Sequence, residues 1–265
     1  MNTDIWWYGF IAAMVLFQLT AIPALILKKN DLADVLWGPA FTISAAIAIY
    51  FGNPRGFSDL NLHAQIIFAL VFIWSARLFY HVGLRNLSHR EEDVRYNNWR
   101  KQWGSNWAWR SYLQVFVLQP LILYLFLTPV LLVISSEAQS MGFFAWIGIA
   151  VWVFGFVMES VADEQLRRFK LQPTSKGKLM TTGLWSWSRH PNYFGEVVQW
   201  WGIWLSVIEL PWGWLTVLSP IGVTFLIMKV SGVSMLEELM KSRPGFEAYA
   251  KRTSEFFPRP PRNQN

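Results

Sequence analysis

The sequence predicts an all-α integral membrane protein with about seven transmembrane helices, and three observations lead to that fold class. Of its 265 residues 53% are hydrophobic and only 15% are charged. The apolar residues fall in long runs separated by short polar segments, which is the pattern of a polytopic membrane protein. The basic residues are concentrated in alternate polar segments. We therefore expect a single membrane domain over residues 1–265.

The apolar runs are long enough to define the spans, because a helix needs about 20 residues to cross a bilayer. The sixth is the shortest and is rich in aromatic residues. No linker long enough to separate two domains interrupts the series. The seven predicted spans are Ile5–Leu27, Ala33–Phe51, Leu62–His81, Tyr112–Ile134, Phe143–Ser160, Tyr193–Ile208 and Pro211–Val230.

The distribution of positive charge predicts the orientation of these spans. Alternating the loops places residues 28–34, 82–111, 160–191 and 229–265 on one side, and these segments hold 21 of the 23 Lys and Arg residues. Basic loops remain in the cytoplasm. The N-terminus is therefore expected outside and the C-terminus inside. This reading also accounts for the net charge of +6 without a nucleic-acid partner.

Several classes of site are excluded or disfavoured by composition and motif. The chain has no cysteine, so disulfides and thiolate sites are impossible. Neither a P-loop nor a Gly-x-Gly-x-x-Gly fingerprint is present. The four histidines form no cluster with carboxylates, so no metal site is predicted.

Two predicted helices carry ionisable stripes where a membrane helix should be apolar. Arg77, His81 and Arg85 share one face of the third span. In the fifth, Glu159, Asp163, Arg167 and Lys170 share another. The third-span stripe is compatible with side chains that reach to the interface. The fifth-span stripe is compatible with pairs within the helix, although a Glu159 at membrane depth needs a partner.

The segment Ser188–Glu196, with sequence SRHPNYFGE, concentrates polar groups at the start of the sixth span. Pro191 suits the first position of a helix, and a helix N-terminus attracts anions. Arg189 and His190 add two further donors. Asn192, Glu196 and Gln199 then lie on one face. We interpret the segment as an anion-binding mouth leading to a polar stripe, with a helix cap and buried polar network as the alternative. The preceding loop, Leu171–Gly183, is interpreted as a basic flap.

SRHPNYFGE in a late membrane helix resembles the steroid 5α-reductase C-terminal superfamily, and in particular its bacterial DUF1295 family. Sterol reductases and isoprenylcysteine carboxyl methyltransferases carry related motifs. The resemblance includes KVSG, LEE, PGFEAY and FFP, at residues 229–232, 236–238, 244–249 and 256–258. It implies a steroid 5α-reductase-like fold in a bacterial inner membrane, with a cytoplasm-facing NADPH pocket and an entrance for a lipophilic substrate from the lipid.

The resemblance also implies that the C-terminal half, about residues 140–258, binds the cofactor, and it implies roles for individual residues. Glu196 is expected near the nicotinamide as a catalytic as well as a binding residue. Trp74 stands where the steroid reductases have a tyrosine, so Asp34 and Tyr80 become the candidate proton donors. The implied cofactor-binding residues are His81, Arg85, Glu159, Asp163, Arg167, Lys170, Lys178, Arg189, His190, Asn192, Tyr193 and Glu196.

Three functions follow from these observations. The leading prediction is an NADPH-dependent reductase of a C=C bond conjugated to a carbonyl in a steroid- or lipid-like substrate. The alternative enzyme is an S-adenosylmethionine-dependent methyltransferase of the isoprenylcysteine type, which the basic residues disfavour because that cofactor has no phosphate. The third, non-enzymatic possibility is a seven-helix binding or retinal-like protein with Lys229 in its last span.

Overall fold

The computed structural model describes residues 3–53, 55–88, 92–137 and 140–262, and throughout these ranges the ordered elements are helices, with no β-strand. The all-α prediction is confirmed. Two segments, Tyr112–Val117 and Leu226–Ser231, are π-helical. The α-helices are α1 Asp4–Leu27, α2 Leu32–Gly52, α3 Leu62–Ser88, α4 Val94–Trp103, α5 Trp107–Ser111, α6 Leu118–Ile134, α7 Phe143–Leu171, α8 Pro191–Val207, α9 Leu218–Phe225, α10 Val233–Lys241 and α11 Phe246–Arg252.

Six helical segments in the described part of the chain are long and apolar enough to cross a membrane, with mean hydropathies between 1.6 and 2.3. They identify a multi-pass membrane protein. The predicted span Tyr193–Ile208 corresponds to α8, which has 17 residues and is therefore shorter than a usual crossing. The six segments are Asp4–Leu27, Leu32–Gly52, Leu62–Gly83, Val94–Ile134, Phe143–Leu171 and Gly213–Lys241.

The chain forms two compact units, residues 1–141 and 142–265. The boundary lies beside residue 140, where the predicted cofactor-binding half begins. In the first unit α2 packs against α1 and α3, and α6 packs against α1. Fully buried aromatic and aliphatic side chains fill the space between these helices, among them Phe17, Phe41, Phe116, Leu123 and Leu127.

In the second unit α7 and α8 pack antiparallel with their backbones in contact. Gly155 faces Gly195, and Gly148 faces Gly202. A Cβ on Gly195 would lie 2.6 Å from both the Gly155 carbonyl oxygen and the Glu159 nitrogen. Small residues at helix contacts permit this close approach, which is a common way for helices to associate in membranes. The seven-residue spacing of both glycine pairs keeps them on the contact face along two turns.

We predict that Gly195→Ala lowers the free energy of unfolding by about 1–3 kcal/mol, because the added methyl must push two backbones apart. Thermal unfolding of the purified protein in detergent measures the effect. Gly83→Ala is the matched control in helix α3, where a Cβ would meet no atom within 4 Å. It should leave stability unchanged or raise it slightly, since alanine is the better helix former. Equal stability of the two variants would contradict the close packing.

Candidate functional site

The SRHP motif is held beside the C-terminal tail by backbone hydrogen bonds. Helix α8 begins at Pro191, as predicted. Ser188 pairs with Ser254 in an isolated parallel β-bridge, and the Arg189 nitrogen donates to the Ser254 carbonyl at 2.8 Å. The Ser188 hydroxyl donates to the Phe256 carbonyl at 2.7 Å and accepts from the His190 nitrogen at 3.0 Å. The motif that is central to the sequence analysis is thus joined to the FFP segment about 65 residues later.

The Arg189 guanidinium is enclosed by the chain and only 8% exposed. Its Nε and Nη2 donate to the two carboxylate oxygens of Glu237, at 2.9 and 2.7 Å. Its Nη1 donates to the Thr253 carbonyl at 2.7 Å. A bidentate pair of this geometry is among the stronger charge-assisted contacts in proteins. Arg189 therefore joins the motif, the LEE segment and the tail.

His190 completes the surroundings of the same carboxylate. Its Nε2 lies 2.8 Å from Glu237 Oε1, and the ring stacks on that of Tyr193 with centroids 5.9 Å apart. His190 is 1% exposed. Arg189 and His190 were predicted to bind an anionic ligand at the helix mouth, and in the structure they bind Glu237 of the chain itself. Glu237 was not among the predicted site residues, although it lies in the LEE segment of the motif set.

The polar stripe of α8 faces the acidic stripe of α7. The Gln199 amide donates to Glu159 Oε2 at 2.6 Å, and the Asn192 amide donates to Asp163 Oδ1 at 3.0 Å. Glu159 and Gln199 are buried. The partner that Glu159 requires at membrane depth is therefore Gln199. Glu196 lies on the same helix and is partly buried.

The predicted phosphate-binding residues are distributed over two places. Arg167 forms an ion pair with Glu164 at 2.6 Å, and Glu164 also pairs with Arg168. The pairs within the helix that were the alternative reading of this stripe are present at Glu164, and Asp163 accepts from Asn192 of α8 at 3.0 Å. Lys170 is exposed in the last turn of α7. Lys178 lies elsewhere, in the wall of an open cleft.

This cleft has a volume of about 620 Å³, which is within the usual range for small-molecule and cofactor sites. The flap residues 176–181 form one wall and residues 244–252 the other. Lys176, Lys178 and Arg252 contribute three exposed cations, and within the described residues no carboxylate contacts them. Arg252 was missed by the sequence analysis, although it comes three residues after the PGFEAY motif.

Tyr249 fixes the inner side of the cleft. Its hydroxyl donates to the Trp185 carbonyl at 2.6 Å, while the Trp185 indole donates to the Ala162 carbonyl at 3.0 Å. Burial raises the pKa of the Tyr249 phenol, so this donor remains protonated. The cleft wall is thereby attached to the motif loop and through it to α7.

Comparison with known proteins agrees with the motif set. The model of a family described as "Protein of unknown function (DUF1295)" matches residues 4–253. The chain belongs to the DUF1295 family. It is also 26% identical to "Uncharacterized protein C594.04c" of the yeast Schizosaccharomyces pombe, over 97% of this chain and 81% of the yeast protein. No solved structure matches the chain.

The predicted residues of the first unit of this DUF1295 protein lie on two helices, Asp34 on α2 and the others on α3. Asp34 accepts from Arg95 Nη2 at 2.6 Å and from the Tyr96 hydroxyl at 2.7 Å. Tyr80, 68% exposed, and His81, also exposed, lie on α3, and the side chain of Arg85 is outside the described residues. Tyr96 is buried and was not predicted. Its signal in the sequence is weak, because it is a single tyrosine in a polar loop.

We predict that Glu237→Ala lowers the free energy of unfolding by about 3 kcal/mol or more, because it leaves the buried Arg189 without its carboxylate. The matched control is Glu238→Ala, since the neighbouring Glu238 is 73% exposed and pairs with the exposed Lys241. That change should cost less than about 1 kcal/mol. Thermal unfolding in detergent compares the two, and equal losses would contradict a structural role for the Arg189–Glu237 pair.

Proposed function

We propose that this protein is a membrane-embedded, NADPH-dependent reductase of a C=C bond conjugated to a carbonyl in a lipophilic substrate. The observation that carries the proposal is the basic cleft. Three cations, Lys176, Lys178 and Arg252, line it, and in the part of the chain that the structure describes no carboxylate contacts them. Such uncompensated charge around a concave surface favours a ligand that brings several negative charges. The diphosphate and 2′-phosphate of NADPH meet that requirement, whereas S-adenosylmethionine has no phosphate.

The shape of the cleft fits a phosphate-bearing cofactor. Gly177 and Gly245 have φ values of +79° and +81°, and a Cβ at either position would meet no atom within 4 Å. The backbone is therefore open on both walls, so a ligand can approach it closely. Lys178 and Arg252 are the residues that we assign to the phosphates, with Lys176 beside them. NADPH, when bound, supplies the hydride.

The arrangement of the motif gives Arg189 and His190 a different part from the one predicted. Because both bind Glu237 and Arg189 also binds the Thr253 carbonyl, they hold the loop 185–190 against the segment 249–256, whose Tyr249 and Arg252 line the cleft. We therefore propose that they position the cofactor site, while Asn192, Asp163, Glu159, Tyr193 and Glu196 remain the candidates for polar contact with the ligand. Asp34 and Tyr80 remain the candidate proton donors.

We predict that Arg252→Ala and Lys178→Ala each weaken NADPH binding at least tenfold, since a hydrogen bond to a charged group contributes about 1.5–3 kcal/mol. Titration of the purified protein with NADPH, followed by nucleotide fluorescence, measures the dissociation constant. Arg168→Ala is the matched control, because Arg168 is 74% exposed and pairs with Glu164 away from the cleft. The affinity should also fall with salt.

If the wild-type protein binds S-adenosylmethionine and does not bind NADPH, the reductase proposal is wrong and the methyltransferase proposal takes its place. If Arg168→Ala weakened binding as much as Arg252→Ala, the assignment of the phosphates to the cleft would be wrong.

We further propose seven spans with the N-terminus outside, α8 being the short sixth span. The chain has no cysteine, so single cysteines report topology directly. Thr174→Cys should react with an impermeant maleimide only after the membrane is opened. Ser140→Cys and Trp214→Cys should react in intact cells. Ser140 and Trp214 flank α7 and α8, so opposite labelling of these two positions would show that α8 does not cross.

A further inference from the structure

The helical segment Val94–Ile134 has 41 residues and combines two different chemistries. At 1.5 Å per residue it has a contour length of about 60 Å, twice the thickness of the hydrocarbon core. Its second half is apolar. Its first half, residues 94–111, contains four Lys or Arg and four Trp residues. Trp and cations are typical of the membrane–water interface, so this first half lies at the headgroup level.

The end of α1 lies against this interfacial segment. Arg100 donates to the Lys28 carbonyl at 2.6 Å, and both cations lie over the ring of Trp107, with Arg100 Cζ 4.5 Å and Lys28 Nζ 6.0 Å from its centroid. Arg110 follows Trp107 by three residues in α5 and lies over Trp109, 5.5 Å from the ring centroid. Trp107 and Arg110, three residues apart, share a side of this helix. Lys28, Trp107, Trp109 and Arg110 are here called the Trp–Arg surface.

The cations at the end of α1 and in the interfacial segment differ in whether a carboxylate neutralises them. Arg100 is paired with Glu92 at 2.6 Å, and Arg95 with Asp34 at 2.6 Å. Lys28 and Arg110 are exposed, and in the described ranges of the chain no carboxylate contacts either of them. No Asp or Glu occurs between residues 94 and 136. Two positive charges thus remain available for an external anion.

Apolar surface continues directly from these charges. Trp109 is 52% exposed, Tyr112 40% and Leu113 48%. A free phosphate would use the cations and leave these side chains in water. An anionic phospholipid suits both the cations and the apolar side chains, because its phosphodiester contacts the cations while its acyl chains cover the apolar side chains.

We propose that the Trp–Arg surface binds the headgroup of an anionic phospholipid, with Lys28 and Arg110 contacting the phosphodiester. This site is in the first unit and does not depend on the proposed enzymatic function. The indole rings of Trp107 and Trp109 hold the cations at the depth of the phosphates. Binding there would tie the end of α1 to α5 through a lipid.

The test uses the full-length protein purified in a neutral detergent. Native mass spectrometry and a calorimetric titration measure binding of dioctanoyl-phosphatidylglycerol, dioctanoyl-phosphatidylcholine and soluble glycerophosphoglycerol. We expect the wild type to prefer phosphatidylglycerol over phosphatidylcholine at least tenfold and to show no binding of the soluble headgroup. Equal binding of the two lipids, or binding of the soluble headgroup as tightly as the lipid, would overturn the proposal.

The variant Lys28→Gln/Arg110→Gln should weaken phosphatidylglycerol binding about thirtyfold, since each cation at an anionic surface contributes about 1 kcal/mol. Arg110→Gln alone should weaken it about fivefold, which provides a test if the double variant unfolds in detergent. Arg259→Gln/Arg262→Gln removes two exposed charges elsewhere and should bind as the wild type does. Unchanged affinity in Arg110→Gln, or an equal loss in the Arg259/Arg262 control, would refute the site.

Discussion

The carboxylate of Glu237 is the group on which the second unit depends. It receives two donors from Arg189 and one contact from His190, and all of these groups are buried or nearly so. A buried guanidinium without a carboxylate would be strongly destabilising, so moving α10 away from Arg189 would cost several kcal/mol of stability. Because Arg189 also binds the carbonyl of Thr253, one ion pair holds three distant pieces of chain together. The cleft wall at Tyr249 follows from this arrangement.

The contact of α7 with α8 depends on a second constraint, the absence of side chains at paired glycines. Gly155 and Gly195 bring the backbones together, and across this contact the Gln199 amide donates to Glu159. Nearer the start of α8, the Asn192 amide donates to Asp163. Bulkier residues at the contact would separate the helices and leave these polar groups without partners, which is costly where water is excluded. The glycines therefore allow the polar side chains of α7 and α8 to form hydrogen bonds with each other.

Positive charge is divided into groups with different neighbours. Arg189, Arg95 and Arg100 are neutralised by carboxylates of the chain and serve its structure. Lys176, Lys178 and Arg252 surround the cleft, and Lys28 and Arg110 lie beside exposed tryptophans. The net charge of +6 is thus partly a sum of local excesses, at the two places where we propose phosphate-bearing ligands. In this family of unknown function, those two surfaces are the places at which to test for ligand binding first.

Residue order alone was sufficient for the helical class, the positions of most spans and the start of α8 at Pro191. These features depend on local hydrophobicity and on the fixed φ of proline, which are properties of short segments. The same holds for the stripes on α7 and α8, because helical periodicity places Asn192 and Gln199 on one face.

The tertiary structure decided which partners these groups have. Arg189 could have met a ligand or a carboxylate, and only the fold brings Glu237 to it from 48 residues away. Arg167 pairs with Glu164 of its own helix, whereas Asp163 receives Asn192 from α8, a contact that depends on the packing of the two helices. Arg252 entered the cleft because Tyr249 and Thr253 anchor the segment around it. Pairing between distant charges depends on chain geometry, and no local pattern in the sequence records it.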